Sequence, residues 1–491
     1  MSKSVSFDPL RRDFLTTAAS GLGGAALATM LASDNALAEP SASALAARQT
    51  HFPAKAKRCI FIFNAGGPSQ LDLFNYRPEL SRLDGQALPE SLLAGVRFAF
   101  IEKESARLMA ARRRFRQNGQ SGMWFSELLP HIATCADDIC MMNSLYTDQF
   151  NHHPGQLMMQ CGQAQFGLPS MGSWLSYGLG TDNQNLPSYV VLTSGRGSSG
   201  GATLWSSGYL PSVHAGVLLR NQGPPILNLE LPPGLPPSLE RSGLDAIRAL
   251  NEQNFQRMQD PEIASRIANY ELSFRMQSAA PELTDISGET AATLDAYGID
   301  RTDPKERSGR VGSGEHYGSF SRNCLLARRM VESGVRFVNI IFASWDHHST
   351  LDRDLSYNSG CVDQPIAALI KDLKQRGLLD DTLVVWGGEF GRTPLGENRN
   401  NSRNVTGRDH HPYAFSMFMA GGGAKGGYTH GETDEVGWNP VVDPVHVNDF
   451  QATLLKLFGI NHKKLTFRHQ GADKRLTNIT REAAVVEELI A

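Results

Sequence analysis

The sequence predicts an α/β fold: a mostly parallel central sheet flanked by helices, with an inserted loop and helical region. Three observations predict it. Five segments repeat one pattern, a short apolar run followed by small or polar residues. Two helical patterns each close on a glycine and lead into one of those runs, as helical crossovers between parallel strands do. Chemically competent residues gather at the ends of the runs, where open parallel sheets bind ligands.

The chain opens with DPLRRDFLTTAASGLGGAALATMLASDNALAEP. Paired Arg11 and Arg12 precede Phe14 and Leu15, then a weakly apolar Ala/Gly run ending in Ala36-Leu37-Ala38. Residues 1–38 therefore read as a twin-arginine export signal and 39–56 as a linker, so a periplasmic or secreted protein is expected. The remainder, 57–491, reads as a single domain. RCIFIFNAGGPSQLDLF predicts a strand over 58–63, a turn at Gly66 and Gly67, then Ser69 and Asp72. ARLMAARRRFRQ clusters Arg107, Arg112, Arg113, Arg114 and Arg116; such a run reads as a solvated helix face or as steering for an anion. DICMMNSLYTDQFNHHPG predicts a strand near 139–145, followed by His152 and His153.

From about 195 to 320 the pattern changes, and this stretch reads as an insertion. TSGRGSSGGATLWSSG and LELPPGLPPS are loop-like, 238–285 is helical and charged, and 300–316 is a polar connector. SRNCLLARRMVESG is a helix stopping at Gly334, with its arginines toward the end that the dipole favours for cations. VRFVNIIFASWDHHST predicts a strand over 335–342, then Asp346, His347 and His348. DQPIAALIKDLKQRG places Ile366, Leu369, Ile370 and Leu373 on one helical face and closes at Gly377. In TLVVWGGEFGRTP a strand ends on two glycines and presents Glu389 and Arg392. The fifth run, AFSMFMAGGGAKGG, differs: Asp409, His410 and His411 stand before it rather than after it.

Composition narrows the function. A chain of 491 residues that is 41% hydrophobic and 20% charged has the balance of a soluble globular protein. A net charge of −3 gives no electrostatic case for binding nucleic acid or an anionic membrane surface. No later stretch has the uninterrupted apolar length of a transmembrane segment. The six cysteines have neither zinc-type spacing nor the density of a disulfide framework, so most read as core residues, and a Cys135–Cys140 pair stays open without further support.

If the runs form one sheet, Asp72, His152, His153, Asp346, His348, Glu389 and His411 could converge. Carboxylates and imidazoles in that mixture suit zinc, manganese or a similar divalent ion. Arg392 would hold an anionic group in its fork, and the Gly66-Gly67 backbone would add donors. Glu389 could instead cap the following turn or pair only with Arg392.

At these residues the chain resembles a known family. GGPSQLDLF, LLARRMVESGVRF, WDHHS, GGEFGRTP and GRDHHPYAFSMFMAGGGAKGG look like signatures of the domain-of-unknown-function 1501 family, in order over about 57–470. That family is similar to the alkaline phosphatase and sulfatase superfamily. The resemblance implies an alkaline-phosphatase-like sheet, one or two divalent metal ions, and hydrolysis of phosphate or sulfate esters. Asp346, His348 and either His410 or His411 would fill one metal site. The other departs from the pattern: Asn64 and Glu389 stand where the superfamily has aspartates, and Phe390 replaces a histidine. In HHPGQLMMQCG, Pro154 and Gly162 keep the register of the sulfatase C-x-P-S-R motif. His152 and Gln156 take the places of its cysteine and arginine, so formylglycine chemistry is excluded at this position. His152 is left as a metal ligand, general base or nucleophile.

Two functions are compatible with these residues. One is an exported metal-dependent hydrolase acting on an anionic ester, on a carbohydrate or cell-surface polymer, with His152, His153 and Arg392 at the chemistry. In it Gly66, Gly67 and Ser69 would contact substrate. The other is a non-catalytic binding or scaffold protein built on the same fold with a decayed metal site.

Overall fold

The computed structural model describes residues 45–491 apart from 94–95, 97, 221–222, 227–228, 230–235, 308, 310, 399–404 and 478–480. The expected export signal lies outside the described residues.

Among the described residues, nine strands form the central sheet. In chain order they are β1 (Arg58–Phe63), β2 (Ile139–Tyr146), β3 (Tyr189–Gly195), β4 (Val217–Leu219), β5 (Phe337–Ala343), β6 (Thr382–Gly387), β7 (Phe415–Ala420), β8 (Tyr428–His430) and β9 (Val445–His446). In space they run β8-β2-β7-β6-β1-β5-β3-β4, with β9 also beside β2. The pairings of β1 with β5 and β6, of β5 with β3, and of β3 with β4 are all parallel. Only β7 runs the other way, antiparallel to both β2 and β6.

That single reversal matters for the site. The start of β7 lies at the same sheet edge as the ends of β1, β2, β5 and β6. The histidines that precede the fifth run therefore meet the residues that follow the other four.

Both faces of the sheet are covered, which is why its strands read as near-continuous apolar runs. Ile60 and Ile62 of β1 point into one core with Val338, Ile340 and Phe342. Cys59, Phe61 and Phe63 point into the other with Phe337 and Ile341. This is the two-residue alternation of a strand buried on both sides. The first core is closed by helices Tyr317–Glu332 and Leu351–Gln375. The second is closed by α1 (His152–Cys161), α2 (Met171–Leu179) and α3 (Val447–Leu457).

The expected helix stops are present: Gly334 and Gly377 adopt left-handed φ values of 89° and 67°, directly beyond their helices. The helix ending before Gly377 begins earlier than its apolar stripe suggests, at Leu351, and carries Pro365 within it. Between 195 and 320, β4 extends the sheet while Pro237–Met258 and Pro261–Thr284 form two charged helices. Leu272, Met276, Ala280 and Leu283 of the second helix enter the first core. All six cysteines are free and buried, so Cys135 and Cys140 are not paired. No described helix is long and apolar enough to cross a membrane.

Candidate metal centre

The site is built around one carboxylate. Asp346 follows β5, and its Oδ1 is 2.7 Å from His348 Nε2, 3.1 Å from His152 Nε2 and 3.2 Å from His410 Nε2. The donor atoms of these four residues lie within 4.8 Å of one another. A single ion with bonds of about 2.0–2.3 Å can reach such a set.

Each imidazole is fixed from behind through its other nitrogen. His152 Nδ1 is 2.8 Å from Glu389 Oε1, and His410 Nδ1 is 2.7 Å from the Phe150 carbonyl. His348 Nδ1 bonds Glu397 Oε2. A carboxylate or carbonyl on the far nitrogen sets the tautomer and aims Nε2 inward, as in metal-bound histidines. Glu389 is fully buried and also accepts from the Gly66 N–H, at 2.9 Å to Oε1, and from Gln156 Nε2 at 3.2 Å. It therefore stands behind His152 rather than facing the Nε2 cluster.

Arg392 supplies a cation to the same centre. Its Nη2 donates to Asp346 Oδ1 at 2.7 Å and to the Gly66 carbonyl. Nε donates to the Gly67 carbonyl at 2.9 Å, and Nη1 to the Arg408 carbonyl at 3.0 Å. The side chain is fully buried. The open fork expected for a substrate anion is thus not present, because the guanidinium is spent on backbone carbonyls and on Asp346.

Local backbone geometry explains the convergence. Gly391–Gly396 pairs antiparallel with Arg408–His411, and His410 stands directly opposite Arg392. Facing residues on paired strands project to one side. His411, the next residue, projects to the other side, where its Nε2 meets the Trp438 carbonyl at 2.6 Å. His410, not His411, is the histidine at the centre. Gly66 has φ 123°, and a Cβ there would sit 2.6 Å from the Asp346 backbone nitrogen. Only glycine lets the turn after β1 come this close.

Other nominated residues lie elsewhere. Asp72 forms a buried ion pair with Arg408, 2.8 Å from Nε, and accepts from Ser69 Oγ at 2.5 Å. Neither is offered to a ligand. The Gly66 N–H, expected to contact substrate, is engaged by Glu389, and Gly67 gives its carbonyl to Arg392. His153 packs edge-on against Phe166, away from the cluster. The phenyl ring of Phe390 lies 5.1 Å from the His152 ring and 4.7 Å from that of His410.

Sequence reasoning missed Glu397, and it noted Asp409 and Gln156 without giving either a place in the site. Glu397 follows the Gly391–Gly396 strand directly, so the strand-end rule would have found it. Asp409 Oδ2 accepts the N–H groups of Ala99, Phe100 and Ile101 at 2.8–3.2 Å, tying an otherwise irregular segment to the site.

The electrostatics are one-sided. Four carboxylates, Asp346, Glu389, Glu397 and Asp409, surround three imidazoles, with Arg392 as the permanent cation among them. Burial would raise the Asp346 carboxyl, but the Arg392 charge and the three imidazoles outweigh it and hold it well below the usual carboxylate range. Burial would lower His152, but hydrogen bonds and charge from Asp346 and Glu389 win and raise it to about 9. His410 is lowered to about 3, by burial first and then by Arg392 and the two neighbouring imidazoles. His152 Nε2 is buried and lacks a well-aligned hydrogen-bond partner although Asp346 is 3.1 Å away. Three imidazole nitrogens and a carboxylate oxygen aimed at one point fit a divalent metal ion. Beside it opens a cavity of about 150 Å³ lined by His152, Asp346, Gln156 and Arg196.

The profile of the family described as protein of unknown function (DUF1501) matches residues 56–490. The chain belongs to the DUF1501 family. Among solved structures, this DUF1501 protein is similar to the lipoteichoic acid synthase LtaP from Listeria monocytogenes, at 8% identity over 88% of this chain and 78% of that one, TM-score 0.37. It is also similar to an alkaline phosphatase superfamily protein from Vibrio parahaemolyticus (8% identity, 92% and 76% covered, TM-score 0.36). A third is the phosphonate monoester hydrolase of Silicibacter pomeroyi (11% identity, 88% and 76% covered, TM-score 0.32). No curated protein matches the sequence.

Proposed function

We propose that this DUF1501 protein is an exported metal-dependent hydrolase of phosphate or sulfate esters. The observation that carries the proposal is the convergence of His152, His348 and His410 on Asp346, each imidazole backed by its own acceptor. These four residues would hold one divalent ion, zinc or manganese by the mixture of nitrogen and carboxylate donors. Such an ion supplies an activated water and polarises a phosphoryl or sulfuryl oxygen.

The chain's own residues divide the remaining work. Glu389 and Glu397 hold His152 and His348 in the tautomer that offers Nε2. Arg392 keeps Asp346 ionised and locks the Gly66-Gly67 turn against the Asp346 backbone. The cavity beside His152 and Asp346 admits an ester headgroup to this one edge of the sheet. With Nε2 committed to the ion, His152 acts as a ligand rather than as a covalent nucleophile. Residues 57–491 would act as one unit, with 195–320 inserted in it. The twin-arginine signal would deliver the folded protein outside the cytoplasm, where an anionic carbohydrate or cell-surface polymer is the matching substrate class.

A second reading has its own observation. Phe390 fills the space beside His152 and His410 with an apolar ring, and buried Asn64 stands where the superfamily pattern has an aspartate. Both features disfavour a second ion and suit a protein that binds its ligand without turning it over.

Metal content decides first. Mature protein purified without chelators or an affinity metal should hold about one equivalent of zinc, manganese or iron, and Asp346→Ala/His348→Ala should lose it. Folded wild-type protein that is metal-free and takes up none of these ions on dialysis overturns the hydrolase. Loaded protein inert toward phosphate and sulfate esters favours the binding reading.

A further inference from the structure

Resting on the reading above, we infer that Arg196 is the group that recognises the substrate's anionic oxygens. It determines specificity from the Gly/Ser loop after β3. An ester of phosphate or sulfate brings negative charge to a centre that already holds four carboxylates, so a cation beyond the metal ion and Arg392 favours its binding. The two arginines nearest the metal ligands are unavailable. Arg392 is consumed by Asp346 and by carbonyls, and Arg408 by Asp72 and the Thr393 carbonyl.

Arg196 is different in each respect. It lines the same cavity as His152 and Asp346, and no other lining residue is a permanent cation. It is exposed, and it makes no ion pair or hydrogen bond among the described residues. A guanidinium left without an acceptor at the mouth of a site keeps its whole fork for an incoming oxyanion.

The loop that carries it is registered against the metal centre. Gln156, buried in α1, accepts at Oε1 from the Gly200 N–H at 2.9 Å and from Ser199 Oγ at 3.0 Å. The amide nitrogen of the same side chain donates to Glu389 Oε1, which in turn holds His152. One buried amide thus spans from the loop to the acid behind a metal ligand. Gly195 leaves β3 at φ 73°, and a Cβ there would sit 2.5 Å from the Ala343 carbonyl, so the loop turns tightly over the end of β5.

The test is calorimetric titration of inorganic phosphate and of sulfate into mature protein, with metal content measured on the same samples. Wild type is compared with Arg196→Ala and Arg196→Lys. The expected result is unchanged metal content in all three, phosphate binding at least tenfold weaker in Arg196→Ala, and partial recovery in Arg196→Lys. Arg196→Ala that keeps its metal and binds phosphate within twofold of wild type overturns the assignment and leaves the metal centre standing. Loaded wild type that binds neither anion also overturns it. Metal-free protein that takes up no ion on dialysis, yet binds phosphate as wild type and not as Arg196→Ala, keeps the assignment and overturns the hydrolase.

Discussion

Arg392 Nη2 lies 2.7 Å from Asp346 Oδ1, while the rest of the guanidinium ends on the backbone carbonyls of Gly66, Gly67 and Arg408. One side chain therefore joins the turn after β1, the segment after β5 and the hairpin that carries His410. Lysine cannot reproduce a planar fork that serves several acceptors. Arg392→Lys should lose about 2–4 kcal/mol of stability, since each buried group left without its partner costs about 1–3 kcal/mol. Urea denaturation measures this, and a midpoint equal to that of wild type would show that the clamp is not structural.

His410 and His411 are neighbours with separate fates. His410→Ala should abolish stoichiometric metal binding. His411→Ala should leave metal content intact while lowering stability, because it orphans the Trp438 carbonyl. Metal analysis of the two variants side by side decides it, and loss in His411→Ala alone would reverse the assignment.

Glu397 bonds His348 Nδ1 from behind the centre. Glu397→Gln retains a side chain of the same shape and removes the charge. Metal affinity should fall about 10- to 100-fold, the usual cost of losing a partner behind a ligand. Competition with a chromogenic chelator gives the number, and an unchanged affinity would mean that Glu397 only packs there.

Far from the centre, His214 supplies a pH dependence. It is buried with Nδ1 2.9 Å from Ser176 Oγ, and burial, with the Arg48 charge behind it, lowers its pKa from 6.5 to about 3. The unfolded chain binds a proton there below pH 6.5 and the folded chain does not. Its stabilising contribution is thus complete above 6.5 and erodes as pH falls toward about 3, by about 1.4 kcal/mol per unit. His214→Gln should flatten that slope between pH 6.5 and 4.5, and parallel curves for the two proteins would refute it.

Much of this was legible in the sequence, for identifiable reasons. The runs around Ile60, Ile340 and Val385 are apolar on both faces because helices cover both, and they read directly as parallel strands. Asp346, His348 and His152 were found because they follow such runs. The reversed direction of β7 was not legible, yet it is what brings His410 in from before its strand. Asp72 and His411 were nominated by residue type and position alone. Burial turned one toward Arg408 and pleating turned the other toward Trp438. The Phe150 carbonyl is a backbone atom with no residue signature. Arg196 sits in a Gly/Ser stretch that reads as a connector, and only the folded chain shows what lies beside it.

The reversed strand also sets when the centre can exist. Phe150 and His410, which touch through a carbonyl and an imidazole, are 260 positions apart in the chain, and His152 and Glu389 are 237 apart. Contacts closing loops of that length form late, after the local helices and hairpins are in place. The centre therefore matures only once the last third of the polypeptide has docked. A chain cut before residue 400 would keep Asp346, His152, His348 and the acids Glu389 and Glu397 behind the two imidazoles, yet lose His410 and the strand that presents it.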